Sequence, residues 1–195
     1  MRKLLILGIP LLILLIVGLM AKSSYNGFVT AEEGVNGQWA KVETAYQRRF
    51  DLIPNLVETV KGYADFEKST LIGVTEARAA AMGAMRKAGE NGELGEFETA
   101  NRSLGVAMGR FFGYTEQYPD LKANQNFLEL QAQLEGTENR ISVARDRYNE
   151  VVQTYNTKVK RFPGNLWAGM FGFSERDYFE SSEGAEEAPK VDFGS

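Results

Sequence analysis

The chain has 195 residues, a formal net charge of −4, and neither histidine nor cysteine. Its composition, 44% hydrophobic and 25% charged, is typical of a folded protein. The excess of acidic over basic residues lacks the positive footprint of a nucleic-acid-binding protein, so we expect no nucleic acid among its partners. The absence of histidine and cysteine excludes the usual catalytic triads and the Glu-x-x-His metal centres of helical bundles.

Residues 1–23 have the features of a transmembrane helix. An uninterrupted apolar run extends from Leu4 to Ala21, with two basic residues before it and Lys22 after it. As a helix this run would span roughly 27 Å, close to the hydrocarbon core of a bilayer. A cleaved signal peptide also has a basic start and an apolar run, but its apolar core is usually shorter, ~7–15 residues. We therefore predict a retained single-pass membrane anchor.

The charges around the apolar run predict its orientation. Arg2, Lys3 and the amino terminus outweigh the single Lys22 on the other side. By the positive-inside rule the N-terminus then stays in the cytoplasm. We expect the domain that follows to be extracytoplasmic.

Residues 24–180 predict one bundle of long helices. Apolar residues recur in alternating steps of three and four from Val35 to Val74, and again at 94–111 and 127–162. This is the period of helices packed along a seam. Pro54 lies within the first stripe without shifting its phase, which predicts a kink or a restart there rather than a loop. The predicted fold class is all-α, an elongated antiparallel up-and-down bundle.

Breaker residues predict the connections between three long helices. The glycines between Gly83 and Gly95 predict the first hairpin connection, and Tyr118-Pro119-Asp120 predicts the turn into a third helix that starts near Leu121. Pro163 stops that helix. Residues 181–195 are acidic and poor in apolar side chains, which predicts a disordered tail.

Four charged residues lie in or beside the predicted seam. Arg49 holds an in-phase position on the first helix and Asp51 follows it, while Glu138 and Arg145 are seven residues apart on one face of the third helix. Unpaired charges in a seam cost several kcal/mol, so an Arg49–Glu138 or an Arg49–Asp51–Arg145 network is expected. The network either fixes the register of the helices or forms a switch or ligand site.

Residues 165–179 are rich in aromatic side chains. Trp167, Phe171 and Phe173 are candidates for contact with a neighbouring subunit; the alternatives are a cap on the core and insertion into a membrane. With three long helices, the third would end far from the anchor. That count disfavours contact with the protein's own membrane.

No motif predicts a reaction. The glycines at 83–95 join helices, whereas a phosphate-binding loop joins a strand to a helix. An all-carboxylate metal site has no spacing in its favour, and no Ser–Lys pair stands out. We expect a non-enzymatic protein with no metal and no cofactor.

Several segments, in order along the chain, resemble the landmarks of the LemA family. They are Gln47 to Val57, Tyr118 to Asn124, Thr137 to Ile141, the pairs Tyr148-Asn149, Tyr155-Asn156, Phe162-Pro163 and Gly172-Phe173, and Tyr178 to Glu180. The resemblance implies a helical bundle on a bacterial membrane anchor and no reaction. It links the chain with the cell envelope, with membrane-protein quality control and with magnetosome membrane formation.

Two functions follow as hypotheses. The first is a non-enzymatic scaffold in the bacterial membrane whose partners are the lipid bilayer, further copies of itself and other membrane proteins. A periplasmic scaffold of this kind would support envelope organisation or quality control. The alternative is a membrane-shaping protein that curves or stacks bilayers.

Overall fold

The computed structural model describes residues 2–62 and 67–180. These parts of the chain form six helices and no strand, which confirms the predicted all-α fold. The helices are α1 Arg2–Lys61, α2 Lys68–Asn91, α3 Gly95–Thr115, α4 Pro119–Lys122, α5 Gln125–Lys160 and α6 Gly164–Phe171. The acidic tail predicted at 181–195 lies outside the described residues.

Helix α1 is continuous from the predicted anchor into the bundle. Its 60 residues correspond to about 90 Å of helix. By length and apolar composition it is the one helix in the described part of the chain that can cross a membrane, and its apolar window is not covered by the rest of the protein. Pro54 lies inside α1, so the backbone at this position is helical, as predicted, and not a loop.

The first connection lies elsewhere than predicted. Helix α1 ends at Lys61 and α2 begins at Lys68, so the prediction of one helix extending to Val74 is wrong. The prediction failed because the three-and-four spacing of apolar residues continues past the end of α1. Val60 and Leu71 fit the same spacing and are both buried, but they belong to different helices.

The glycine-rich segment contains the second connection. Gly83 and Gly89 lie inside α2, and a Cβ atom at Gly89 would be 2.8 Å from Nε1 of Trp39 on α1. Here glycine permits close packing of α2 on α1. The turn itself is at Gly92, whose φ of 75° is in the left-handed region and whose N–H is bonded to the carbonyl of Ala88.

The bundle therefore has four long helices instead of three. Helix α1 packs along α5 and α2, and α2 packs along α3. Pro119 occupies the first turn of the short helix α4, as predicted, but α5 starts separately at Gln125, capped by Asn124, whose side chain accepts a bond from the N–H of Phe127.

The additional hairpin reverses the direction of the last long helix. Helix α5 runs antiparallel to α1 and ends beside the anchor, where Lys158 Nζ lies 3.4 Å from the carbonyl oxygen of Gly27. The prediction that Phe162 lies at the end remote from the membrane is therefore wrong. The cause is the helix count: an even number of long helices returns the chain to its starting end.

Residues 173–180, here named the C-terminal strap, follow α6 without helical structure. The strap runs back along α5, since Arg176 is paired with Asn156 and Phe179 with Asn149. Phe179 is buried at its end, within the core formed by α1, α3 and α5. The strap thus forms part of the fold.

Candidate functional site

A polar cleft of about 460 Å³ lies between α3 and α5, with α1 as its floor. Its polar lining comes from Tyr46 and Arg49 on α1, Glu98 and Asn101 on α3, and Glu138 and Arg145 on α5. Three of the four predicted seam residues are therefore brought to one place. The strap closes one side of the cleft with Glu180.

The first ion pair of the cleft joins α1 to α5. Nη1 of Arg49 lies 2.8 Å from Oε2 of Glu138. The Arg49 side chain is only 14% exposed, whereas that of Glu138 is 63% exposed. Because one partner faces water, the attraction itself contributes little to stability.

The second ion pair joins α5 to α3 and is more enclosed. Nη2 of Arg145 lies 3.2 Å from Oε1 of Glu98 and donates a 2.7 Å hydrogen bond to the carbonyl of Glu180. The same carboxylate oxygen of Glu98 accepts a bond from the N–H of Glu180, and the guanidinium lies 4.7 Å from the ring centroid of Phe179. Burial raises the pKa of Glu98, while the Glu180 N–H and Arg145 oppose this rise.

Asp51 is not part of either network. It accepts a 2.7 Å hydrogen bond from Nε2 of Gln47 on an exposed face of α1. Residues two apart on a helix point in different directions, so Asp51 cannot share the seam position of Arg49. The expected Arg49–Asp51–Arg145 network is therefore wrong.

The floor of the cleft contains a buried phenol. Tyr46 is hydrogen-bonded to Arg145, and burial raises the pKa of its hydroxyl despite the nearby Arg145 and Arg49. Oδ1 of Asn101 is buried and has no hydrogen-bond partner among the described residues. Four charged side chains of the cleft form two ion pairs, Arg49–Glu138 and Arg145–Glu98, and each pair joins two helices. This arrangement is suited to holding the helices together.

No metal ligand set was found in the described ranges 2–62 and 67–180, where no three carboxylates come together.

Two asparagines that the sequence reasoning did not single out hold the strap on α5. Asn156 donates to the carbonyl of Arg176 and accepts from its N–H, both at 2.9 Å. Asn149 does the same for Phe179, at 3.0 and 2.9 Å. Seven helical residues span roughly 10.5 Å and three extended residues roughly 10 Å, so the two spacings match. The repeated Tyr-Asn pairs were the available signal.

The strap also joins elements that are distant in sequence. Arg176 pairs with Glu32 of α1 at 2.9 Å, and the carboxylate of Asp177 accepts a bond from the N–H of Leu94 at the α2–α3 turn. Phe179 stacks on Trp39 and meets Tyr148 edge-on. A short extended segment thus connects α1, α5 and the α2–α3 turn.

The three candidate aromatic residues lie beside the anchor. Phe171 packs edge-on against Tyr25 of α1, with ring centroids 5.2 Å apart, and Trp167 stacks on Phe171. Phe173 lies 5.1 Å from the ring of Phe28. Trp167 and Phe173 are half-buried against the core, so they cap its membrane-proximal end.

Comparison with known proteins gives the family. The LemA family model matches residues 38–193. Magnetosome protein MamQ 2 of Paramagnetospirillum magneticum is 28% identical over 175 aligned residues, covering 80% of this chain and 64% of the relative. MamQ of Magnetospirillum gryphiswaldense is 27% identical with the same coverage. Protein LemA of Metamycoplasma hominis is 26% identical, covering 81% of this chain and 69% of the relative.

The chain spans 64% of the length of the magnetosome proteins that it matches. The family match covers most of the bundle, including the cleft and the strap. The N-terminal apolar helix of this chain, together with the relatives that it matches, indicates a membrane-associated protein. The chain belongs to the LemA family.

Proposed function

We propose that the protein is a non-enzymatic scaffold that self-associates in the membrane and organises or protects other membrane proteins. In this role it would support cell-envelope organisation or membrane-protein quality control. The positive-inside rule favours an extracytoplasmic bundle.

The observation that carries this proposal is the continuity of α1. One helix forms both the membrane-spanning segment and a wall of the bundle, with no hinge between them. The bundle is therefore held at a fixed angle to the anchor, as a platform for assembly requires. The charged residues of the cleft also support a structural role, since Arg49 and Arg145 are paired with carboxylates of the same chain.

The membrane tether favours self-association, which would also cover apolar side chains that are exposed singly on the sides of the bundle. They include Ile72 on α2, Val106 on α3, and Leu128 and Val143 on α5. A tether confines copies to the membrane plane, which raises their effective concentration. Neighbouring copies would cover these side chains and gain the free energy of their burial.

Light scattering on the full-length protein in detergent tests self-association. We expect a mass that is a defined multiple of the 21.7 kDa chain. Val106→Glu on the exposed surface of α3 should reduce this mass, and Gln153→Glu, which adds the same charge at an exposed position of α5 ten residues from Val143, should not. A monomeric mass over a wide concentration series would exclude the scaffold.

A second candidate is a membrane-shaping protein that curves or stacks bilayers. The observation in its favour is the similarity to proteins named magnetosome proteins. Reconstitution into vesicles tests it: full-length protein should change vesicle size or curvature. Vesicles that keep their size at high protein density would exclude this function.

A further inference from the structure

The end of the bundle that carries α6 lies just beyond the last residues of the predicted membrane span. Tyr25 and Phe28 lie only three and six residues beyond Lys22, or about 4.5 and 9 Å along the helix. Both rings contact the α6 region, through Phe171 and Phe173. The headgroup layer extends roughly 5–8 Å beyond each side of the hydrocarbon core, so α6 is placed at its depth.

Three large apolar side chains point away from the protein at this level. Phe162 is 75% exposed, Leu166 is 61% exposed and Met170 is 70% exposed. Leu166 and Met170 are four residues apart on α6 and so lie on one side of it, and Phe162 lies in the turn just before the helix. The opposite side of α6 is packed, because Ala168 is buried and Trp167 is half-buried. A row of this kind differs from the singly scattered apolar residues of an ordinary surface.

Basic side chains border this row. Lys158 and Arg161 are exposed and line an open groove of about 440 Å³ between α1 and the turn at 161–164, beside Phe162. The neighbouring Glu175 is paired with Lys160, 2.6 Å away, and so does not neutralise them. Although the chain as a whole is acidic, this end offers positive charge where lipid phosphates would lie.

We propose that Phe162, Leu166 and Met170, bordered by Lys158 and Arg161, form a membrane-docking surface. The apolar side chains enter the interfacial layer of the bilayer that holds the anchor, and the two cations bind anionic phospholipid headgroups. The bundle is then held to the membrane at two places, by the anchor and by this surface. The inference depends on membrane anchoring and is independent of self-association.

Spin-label depth measurements on the full-length protein in lipid nanodiscs test the docking. The chain contains no cysteine, so Met170→Cys and, as the matched control, Asn55→Cys each carry a single label. Asn55 is exposed on α1, 33 residues or about 50 Å of helix beyond Lys22, and α1 carries none of the side chains proposed for self-association. We expect the Met170 label to be protected from a water-soluble nickel relaxant and accessible to oxygen, and the Asn55 label to be accessible to nickel.

Two further arms identify what covers the surface. Lowering the number of copies per disc, with the protein diluted into excess lipid, should leave the protection at Met170 unchanged; protection that falls on this dilution would show that a second copy covers it and would overturn the proposal. Lys158→Gln combined with Arg161→Gln should reduce protection in discs containing anionic lipid, towards the level found in zwitterionic discs. Nickel accessibility at Met170 equal to that at Asn55 would also overturn the proposal, whatever the oligomeric state.

Discussion

Arg49 and Glu138 form an ion pair whose two side chains differ in exposure. This difference decides how much each side chain contributes to the stability of the fold. The carboxylate faces water, so removing Arg49 leaves no buried ion behind, and Glu138→Gln still offers the mostly buried guanidinium an amide oxygen as acceptor. The arginine has its stem packed in the bundle, and this packing contributes independently of the charge. Arg49 therefore acts mainly by filling space.

We expect Glu138→Gln to lower the free energy of unfolding by less than about 1 kcal/mol. Arg49→Met, which keeps the stem, should also cost little, while Arg49→Ala should cost about 1–3 kcal/mol through lost packing. Chemical denaturation of the full-length protein in detergent measures the three values. Equal large losses for Glu138→Gln and Arg49→Ala would show that the ion pair itself dominates.

Asn156 is buried and supplies both hydrogen bonds to the backbone of Arg176. In Asn156→Ala these backbone groups lose their partners in a place that water reaches poorly. The expected loss is about 2–3 kcal/mol, from two hydrogen bonds of ~1 kcal/mol each and some desolvation. The melting temperature by circular dichroism checks this, with the exposed Asn139→Ala on the same helix as control. Identical melting temperatures for both variants would contradict the role of Asn156.

Burial raises the pKa of Tyr148 to about 12. Below pH 10 the phenol is neutral in the folded and the unfolded chain, so it has no effect on the pH dependence of stability. Between pH 10 and about 12 the unfolded chain ionises while the folded one does not, so stability falls as the pH rises. Tyr148→Phe should lose less stability than the wild type between pH 8.5 and 11 in urea denaturation, and Tyr178→Phe, at an exposed site, should follow the wild type. Parallel losses in all three proteins would contradict the assignment.

At the scale of elements, the strap determines how the bundle is closed. Phe179 fills a space among Trp39, Phe97 and Tyr148, three aromatic rings from three different helices. Arg145 covers its ring and also binds the carbonyl of Glu180. The strap therefore holds α3 and α5 together at the place where the Arg145–Glu98 ion pair also joins them.

Phe179→Ala should destabilise the protein by about 3–5 kcal/mol, since a buried aromatic ring is removed from a packed site. The freed strap should also become the first site of limited proteolysis. Phe162→Ala is the matched control, because the same side chain is lost from an exposed position. Equal stability of the two variants, with an unchanged cleavage pattern, would show that the strap does not close the core.

The helices were predictable from the sequence, but several of their connections were not. Apolar periodicity reports which face of a helix is buried, and it continues from Val60 to Leu71 although the helix ends between them. Gly89 resembles a breaker in sequence, yet it serves the close approach of Trp39. The sequence of the strap shows no periodic pattern of apolar residues from which it could be predicted. Its backbone is held by asparagine side chains of α5 and not by a neighbouring strand.

The candidate site was predictable in part for a related reason. The seven-residue spacing of Glu138 and Arg145 places them on one face of α5, and Arg49 meets Glu138 there. The partner of Arg145 is Glu98 on α3, which only the hairpin of α2 and α3 brings into place. The predicted position of the aromatic residues 165–179, far from the anchor, was wrong because it depended on a count of three long helices instead of four.

At the scale of the whole molecule, α1 sets the geometry. Since α1 is a helix that can cross a membrane and also forms a wall of the bundle, the α5 C-terminus and α6 are the parts of the bundle nearest to the predicted anchor. The C-terminus of α1, at Lys61, and the N-terminus of α2, at Lys68, lie at the opposite end. We propose that the bundle is extracytoplasmic, because Arg2 and Lys3 precede the apolar run.

The absence of cysteine makes the topology directly testable. Ser69→Cys places a single thiol at the exposed start of α2, at the remote end of the bundle. In intact cells with a permeable outer barrier, a membrane-impermeant maleimide should label it without lysis, because we expect the bundle to be extracytoplasmic. Labelling that requires lysis of the membrane would reverse the orientation. A known cytoplasmic thiol in the same cells serves as the control for leakage.

Electron cryomicroscopy of the full-length protein in lipid nanodiscs tests the central claim most directly. The account predicts discs that contain more than one copy, each bundle upright, with the α6 end against the lipid and the C-terminus of α1 away from it. Single copies whose bundles tilt freely about the anchor, with α6 in solvent, would contradict it.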